Sequence, residues 1–431
     1  MIAPRRAAVL LLAAALAACT AGPAVPPEAP VPASPETVPP LPRGEGSAYA
    51  ALRALCRRPP AAPERGRAGD GRPVPPAIAQ VQRHVEEVRG LTFRRPVRVD
   101  AVSQEELVRR LEGALHHSFP AGLYRRRSLA WATIGVISPG ASIRAEVEEF
   151  ASGQVVGFYV PTSGELVFIG SERPTPFQRV VLAHELTHAL DDQYFHLERL
   201  DRLEARCRDE ALGAAIGVVE GSAQYFSILY AQRFLTVEEQ LGLASGAVPA
   251  VGDVERFIVE LQTWPYLAGM AFVGALEEEG GVRAVNEALE RFPVSTEQVI
   301  HPERYPNDAP RVVDVPDLSA ALGEGWRDLD VMEVGEAWLR IMLGLRVDDA
   351  TARDAASGWD GGIYRAWSHG RDVAVVLETV WDRAADARAF ADALRSWIEP
   401  GQAAAVAASG ERVRAVFATD PEAVEALTGG A

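Results

Sequence analysis

A five-residue motif, His-Glu-Leu-Thr-His at positions 184–188, constrains this chain more than any other feature. Residues four apart share one face of an α-helix, so His184 and His188 would present two imidazoles one turn apart. Two ligands of a single tetrahedral Zn²⁺ require this arrangement. Glu185 would lie about 100° around the helix from His184, close enough to reach a metal-bound water without being a ligand. The spacing therefore predicts one zinc ion, with Glu185 as the general base.

The flanking sequence predicts that the motif lies on a buried helix. Thr175 and Pro176 form an N-cap and first-turn pair. Apolar residues then cover nearly every face of the helix: Val180, Val181, Leu182, Ala183, Leu186, Ala189 and Leu190. The alternative is a surface helix that carries two solvated histidines, and these apolar surroundings argue against it.

A zinc site needs a third protein ligand in addition to the two histidines. A nearby third histidine is excluded, because Asp191 and Tyr194 stand where the extended motif has glycine and histidine. Glu220 is the stronger candidate, since it lies among small and apolar residues of a predicted helix over 209–234, and a buried carboxylate needs a partner. Glycines at every fourth position from 213 to 221 predict a close approach of this helix to the motif helix. The alternative is a glutamate paired with a core arginine.

This combination of residues resembles the thermolysin-like zinc peptidases, the gluzincins, which bind zinc through two motif histidines and a glutamate on a following helix. The segments HELTHALDDQ (184–193) and VEGSA (219–223) are most similar to bacterial envelope proteins of that clan. The resemblance implies a zincin-like domain over 77–311, in which a mixed sheet with an edge strand accompanies the motif helix and the glutamate helix.

The resemblance also implies roles for individual residues. His184, His188 and Glu220 would be the zinc ligands, Glu185 the base, and Asp192 a carboxylate that supports the ligands from the same helix face as His188. Ser222 stands where an acidic residue is expected after the glycine, which shifts the task of orienting a ligand histidine towards Asp192.

Two β-rich runs precede the motif helix, over 154–159 and 165–169, and predict a hairpin. In the thermolysin-like enzymes a strand at this place lies beside the cleft and pairs with extended substrate, which is the role that the resemblance suggests here. The alternative is an ordinary hairpin of a mixed sheet. Residues 312–431 alternate short apolar runs with helical patterns, one of them over 331–343, and predict a smaller α+β module. The whole chain is thus predicted to be α+β.

Hydrolysis of an amide also requires a hydrogen-bond donor for the oxyanion, commonly a histidine or tyrosine from a later segment. His301 is the first candidate for this catalytic role, followed by Tyr305 and Tyr266 as oxyanion or substrate contacts. A histidine that precedes a proline is explained equally well as a residue that caps a loop.

The N-terminus predicts a bacterial lipoprotein. Two arginines, an apolar run and Leu-Ala-Ala-Cys ending at Cys19 predict a signal peptide over 1–18 and lipidation of Cys19, with a proline-rich tether over 19–76. The alternative is a plain secretory signal. We expect an extracytoplasmic protein anchored to a membrane through this lipid. The outer membrane is favoured, because Thr20 is not the aspartate that signals inner-membrane retention.

Charge and cysteine content complete the prediction. The formal net charge of −16 argues against a nucleic-acid partner. Cys56 and Cys207 could form a disulfide, or be two buried small side chains. The sequence thus predicts a zinc-dependent hydrolase of the cell envelope, a peptidase acting on peptides or proteins. The alternatives are a non-catalytic zinc-fold scaffold and a hydrolase of cell-wall peptide links.

Overall fold

Two β-sheets form in the computed structural model, which describes residues 10–13, 47–56, 74–118, 121–244 and 252–429. The strands are β1 (Leu10–Ala13), β2 (Arg98–Val102), β3 (Val155–Val160), β4 (Glu165–Ile169), β5 (Arg327–Glu333), β6 (Trp359–His369), β7 (Asp372–Trp381), β8 (Ala404–Ser409) and β9 (Arg412–Ala418). The first sheet has the order β1-β3-β4-β2 and is mixed, because only β2 and β4 run parallel. The second sheet, in the order β5-β6-β7-β9-β8, is antiparallel throughout.

Helices account for most of the remaining described chain. They are α1 (Ser47–Leu55), α2 (Pro76–Arg89), α3 (Gln104–Ser118), α4 (Ala121–Ile134), α5 (Ile143–Gln154), α6 (Pro176–Phe195), α7 (Leu200–Ala205), α8 (Asp209–Phe234), α9 (Val237–Ala244), α10 (Arg256–Glu290), α11 (Thr296–Ile300), α12 (Ser319–Leu322), α13 (Glu336–Gly344), α14 (Asp349–Ala356), α15 (Ala384–Trp397) and α16 (Pro421–Thr428). The combination of helices with one mixed and one antiparallel sheet confirms the α+β prediction.

Helix α6, which carries the motif, begins at a complete capping box. The Thr175 hydroxyl accepts a hydrogen bond from the Gln178 backbone N–H, and the Gln178 side chain accepts one from the Thr175 N–H. Every residue over 180–195 is buried, because apolar side chains cover the helix nearly all round. The helix ends at His196, whose backbone is left-handed with a φ of 57°. The predicted N-cap and the predicted burial are both confirmed.

The predicted hairpin forms from β3 and β4, within one residue of the expected bounds. The two strands pair antiparallel with Gly157 opposite Phe168 and Val160 opposite Glu165. The other side of β3 pairs antiparallel with β1, in the register Leu10 opposite Tyr159. Strand β1 belongs to the segment predicted as a signal peptide. It therefore forms the edge of this sheet.

Helix α8 packs against both α6 and α10. Of the helices in the described ranges, it alone is long and apolar enough to cross a membrane. Sixteen of its residues, including Glu220, are buried inside the protein. It therefore has the burial of a core helix.

The glycines of α8 face α10 and α11, so the prediction that they face the motif helix was wrong. A Cβ at Gly221 would lie 2.2 Å from the backbone of Gly269 in α10, and one at Gly213 would lie nearest Thr296 in α11. The close approach exists, but its partner is different. Glu220 reaches α6 from the neighbouring face of α8, about 60° around the helix from Gly217.

The second sheet starts with a strand where a helix was predicted. Strand β5 ends at Glu333 and α13 begins only at Glu336, so the predicted helix over 331–343 was wrong in its first turn. Asp330 and Glu333 resemble the polar face of a helix, yet both are buried in β5. Each pairs with an arginine, Arg127 and Arg208 respectively.

Helix α1 lies within the segment predicted as a tether and packs on the second sheet. Its buried Tyr49 and Leu52 join a core cluster that includes Val331 of β5. A disulfide links Cys56, directly after α1, to Cys207, two residues before α8. This answers the question of pairing that the sequence left open. Cys19, most of the predicted signal peptide and most of the tether lie outside the described residues.

Candidate metal centre

Three buried side chains from two helices converge on one point. The Nε2 atoms of His184 and His188 are 3.0 Å apart, and the Glu220 Oε2 atom lies 3.2 Å from the first and 3.4 Å from the second. The histidines come from successive turns of α6, and the glutamate comes from α8. This group could hold a metal ion, and it contains the three residues that the sequence predicted as ligands.

The dimensions of the group, and the charge states of His184 and Glu220, fit a tetrahedral zinc. Metal–ligand distances of about 2.0–2.1 Å place neighbouring ligand atoms about 3.3 Å apart, close to the three distances above. Burial lowers the pKa of His184 to about 4, so its ring is neutral, as a metal ligand must be. Burial raises the pKa of Glu220, but the two histidines outweigh this effect and the net shift is downward. The glutamate is thus an anion at neutral pH.

Glu185 is buried beside this group and lacks a partner. Neither of its carboxylate oxygens has a hydrogen bond to any part of the chain that the structure describes. Burial, and then the nearby Glu220, raise the pKa of Glu185 well above its usual range. An unsatisfied buried carboxylate is costly in free energy. A metal-bound water is the kind of partner that would satisfy it, and proton acceptance is the chemistry that it could perform.

Asp192 supports the site differently from the prediction. Its Oδ2 atom accepts a 2.8 Å hydrogen bond from the Tyr159 hydroxyl, and its Oδ1 atom accepts a 2.9 Å bond from the Leu197 backbone N–H. The Nδ1 atoms of both motif histidines have no partner among the described residues. Asp192 therefore orients no ligand histidine, because strand β3 and the segment after α6 occupy its oxygens.

Ser222, which replaces the expected acidic residue, ties the two ligand helices together. Its hydroxyl donates a 2.7 Å hydrogen bond to Asp191 Oδ2. The other oxygen of Asp191 accepts a 2.8 Å bond from the fully buried Arg89 at the end of α2. The Arg89 guanidinium also lies 4.8 Å from the Phe226 ring centroid. One buried ion pair thus connects α2, α6 and α8 within three residues of His188 and Glu220.

Of the three predicted oxyanion donors, Tyr266 is the one that the structure places against a ligand. Its ring stacks on that of His184, with centroids 6.1 Å apart and planes 27° apart. Tyr266 lies one turn before Gly269 on α10. A Cβ on Gly269 would be 1.8 Å from the Gly217 carbonyl oxygen. Because this backbone crossing is so close, α10 can bring Tyr266 to the ligand.

His301 and Tyr305 are engaged elsewhere. His301 Nε2 lies 3.0 Å from Glu336 Oε1 at the start of α13, and this hydrogen bond raises the pKa of His301. The Tyr305 hydroxyl donates a 2.7 Å hydrogen bond to the Arg291 carbonyl oxygen, directly after α10. The contacts of both residues thus serve the packing around α10, α11 and α13. Sequence reasoning chose them by type and position in the chain, which do not fix where they fold.

Sequence reasoning missed Arg89, Gly157 and Tyr159. A Cβ on Gly157 would lie 3.2 Å from Glu185 Cγ, and Tyr159 bonds to Asp192. The alternation of strand residues could have indicated that 157 and 159 share one face. Arg89 gives no comparable signal, because its partner is 102 residues away in the chain.

A family of unknown function and a solved structure are each similar to part of this chain. A family described as a domain of unknown function (DUF8575) matches residues 326–428, which contain the second sheet and α16 but none of the metal-site residues. No curated protein matches the chain. A crystal structure from Chloroflexus aurantiacus, described as that of "a putative hydrolase with a novel fold", is similar over 60% of this chain and 95% of that chain, with 17% identity and a TM-score of 0.33. Similarity at this level carries no functional argument.

Proposed function

We propose that this chain is a zinc-dependent hydrolase with the ligand set of the thermolysin-like peptidases, and that it cleaves peptide bonds. One observation supports the proposal above all others. His184, His188 and Glu220 converge with the spacing of a tetrahedral site, and the buried carboxylate of Glu185 beside them lacks a partner. A site that served only structure would need the three ligands but not this fourth carboxylate.

Each side chain of the site has a separate role in the proposed hydrolysis. Bound zinc would lower the pKa of a coordinated water towards about 7 and polarise the scissile carbonyl. Glu185 takes a proton from the attacking water on its carboxylate and then passes it to the leaving amine. Tyr266, stacked on His184, is the predicted donor that would serve the oxyanion. Burial excludes bulk water from these steps and strengthens each electrostatic interaction.

The edge of the first sheet supports the choice of a peptide substrate. Strand β3 passes over α6 with Gly157 against Glu185, and its outer side pairs with the extended backbone of β1. Backbone hydrogen bonds of this kind hold an extended peptide whatever its sequence. If residues 1–18 are removed as a signal peptide, β1 leaves with them and the edge becomes free for substrate.

The cellular setting is also part of the proposal. Lipidation at Cys19 would anchor the enzyme to a membrane outside the cytoplasm, where proteins and cell-wall peptides are the available amides. The Cys56–Cys207 disulfide agrees with an oxidising compartment. The substrate is thus a peptide or protein of the cell envelope.

Replacement of the base tests the function. Glu185→Gln should keep one zinc per chain, measured by elemental analysis, yet lose hydrolysis of peptide libraries and cell-wall fragments. His188→Ala should lose the zinc itself. Glu172→Gln, an exposed glutamate a few residues before α6, is the matched control and should change neither property. Absence of stoichiometric zinc in the wild type refutes the proposal. Zinc binding without hydrolysis of either substrate class would instead indicate a scaffold.

A further inference from the structure

Strand β3 contacts the motif helix at two points, through residues that alternate along the strand. Gly157 and Tyr159 share the face of β3 that packs on α6. The first meets Glu185 and the second meets Asp192, about two helical turns further along α6. The strand thus crosses the helix with one contact beside the base and the other near the helix end.

The contact at Gly157 leaves little room for a side chain. A Cβ there would lie 3.1 Å from Val181 Cγ1, 3.2 Å from Glu185 Cγ and 3.3 Å from the Val167 carbonyl oxygen. Each of these distances is shorter than an ordinary contact, so the neighbours would have to yield by a few tenths of an ångström, and one of them is a backbone atom. The glycine is required for space, since its φ lies outside the left-handed region. We expect even a methyl group at this position to widen the gap between the strand and Glu185 slightly.

The contact at Tyr159 fixes the position of β3 along the axis of α6. Its buried hydroxyl donates a 2.8 Å hydrogen bond to Asp192, and Asp192 is held in turn by the Leu197 N–H. Only two torsions separate the Tyr159 hydroxyl from the backbone of β3. The hydrogen bond therefore resists sliding of β3 along α6. Because a slip of one residue would turn every side chain of β3 to the opposite face, the bond also protects the register.

We propose that Gly157 and Tyr159 are positioning residues that set the distance and the register of a bound peptide relative to Glu185. The proposal rests on the function proposed above. A peptide that pairs with the outer edge of β3 takes its position from that strand. The contacts of Gly157 and Tyr159 with α6 lie about 6.6 Å apart along β3. Together they fix the height of β3 above the helix and the position of β3 along the helix axis. Gly157 sets the height, and Tyr159 with Asp192 sets the placement.

These two roles predict different failures. Gly157→Ala should lift the strand by a few tenths of an ångström and reduce kcat about tenfold or more, with a smaller change in KM, because small displacements of reacting atoms slow catalysis steeply. Tyr159→Phe should keep the strand height but loosen its placement. One peptide would then be cut at two or more neighbouring bonds where the wild type cuts one.

Matched substitutions separate positioning from general loss of structure. Gly153→Ala in α5 adds a Cβ with nothing within 4 Å. Tyr194→Phe removes the 2.8 Å hydrogen bond that the Tyr194 hydroxyl, in α6, donates to the Thr92 carbonyl oxygen. Both controls should keep the kcat and the cleavage positions of the wild type. Zinc content, measured for every variant, should remain at one per chain and shows that the site is folded.

Mass spectrometry of the products from a defined peptide, together with kcat and KM, gives the result. The proposal is overturned if Gly157→Ala has the kcat of Gly153→Ala, or if Tyr159→Phe cuts at the same single bond as Tyr194→Phe. In either case a wild type that binds zinc and cleaves peptide would leave the proposed function intact. A wild type that cleaves nothing overturns both proposals.

Discussion

The backbone crossing of α8 and α10 leads to opposite predictions for two glycines of one helix. Gly269 and Gly274 both lie in α10. A Cβ on Gly269 would be 1.8 Å from the Gly217 carbonyl oxygen, while a Cβ on Gly274 would be 3.5 Å from the Tyr225 ring. The first distance is far inside van der Waals contact with a backbone atom, and the second is an ordinary contact. The same substitution to alanine should therefore harm the protein at one position and help it at the other.

The magnitudes follow from two opposing effects. Alanine in place of glycine inside a helix stabilises it by about 1 kcal/mol, and this gain is the same at both positions. At Gly269 the new methyl group must separate two helix backbones, and overpacking of this kind costs about 1–3 kcal/mol or more. We expect Gly274→Ala to raise the free energy of unfolding by about 0.5–1 kcal/mol and Gly269→Ala to lower it by up to about 2 kcal/mol, the overpacking cost less the helix gain.

Urea unfolding followed by circular dichroism measures both values on the zinc-loaded protein. The Gly269→Ala variant should also lose more hydrolytic activity than the Gly274→Ala variant, because separation of the helices carries Tyr266 away from His184. Equal stability of the two variants would refute the reasoning, since it would mean that α8 and α10 do not meet at Gly217 and Gly269.

Three further predictions concern the metal, the disulfide and one buried acid. Zinc at about 100 times its Kd should stabilise the wild type by about 2.7 kcal/mol and should not stabilise His188→Ala, as thermal unfolding with and without a chelator will show. Reduction of the Cys56–Cys207 bond, which closes a loop with a sequence separation of 151, should cost up to about 5 kcal/mol. Equal unfolding of the reduced and oxidised proteins in urea would contradict this. Burial raises the pKa of Glu210 to about 7, so the folded state holds a proton that the unfolded state releases, and stability should fall as the pH rises from about 4.5 to 7. Glu210→Gln should remove about 1.4 kcal/mol per pH unit of this slope; an unchanged slope would exclude Glu210 as its source.

The part of the site that could be predicted from the sequence is the part encoded within a single helix. His184 and His188 follow from a four-residue spacing, and the start of α6 follows from Thr175 and Pro176, because capping and helical periodicity depend on neighbours in the chain. Glu220 could be found because an acid among small and apolar residues has few explanations other than a buried partner. None of these predictions required knowledge of how the helices pack.

Predictions of which element a helix face or side chain contacts in the fold were less accurate. The glycines over 213–221 indicated a close approach, but a row of small residues carries no information about which helix it meets. Asp192 was placed correctly on the face of His188, yet a carboxylate bonds to whichever donor is brought to it, and here Tyr159 arrives from β3. His301 was chosen in the same way, and in the structure its ring bonds to Glu336, which lies beside it.

The second sheet is joined to the half that contains the candidate metal site more closely than a separate module would be. Four consecutive residues before and within the first turn of α8 are held by other parts of the chain. Cys207 bonds to Cys56, Arg208 pairs with Glu333 at 3.0 Å, and Asp209 pairs with Arg127 at 2.6 Å. Glu210 accepts a 2.8 Å hydrogen bond from the Thr296 hydroxyl.

These contacts help to fix the position of Glu220, which packing around the candidate metal site alone would not do. Glu220 lies 11 residues after the start of α8, about 16 Å along the helix. A helix held only at its middle could tilt about that point and move its carboxylate relative to α6. Buried charge pairs tolerate little displacement, because separating them leaves an uncompensated charge. The anchored start of α8 and its glycine crossing with α10 thus fix the helix at two separate points. Glu220 owes its position to both.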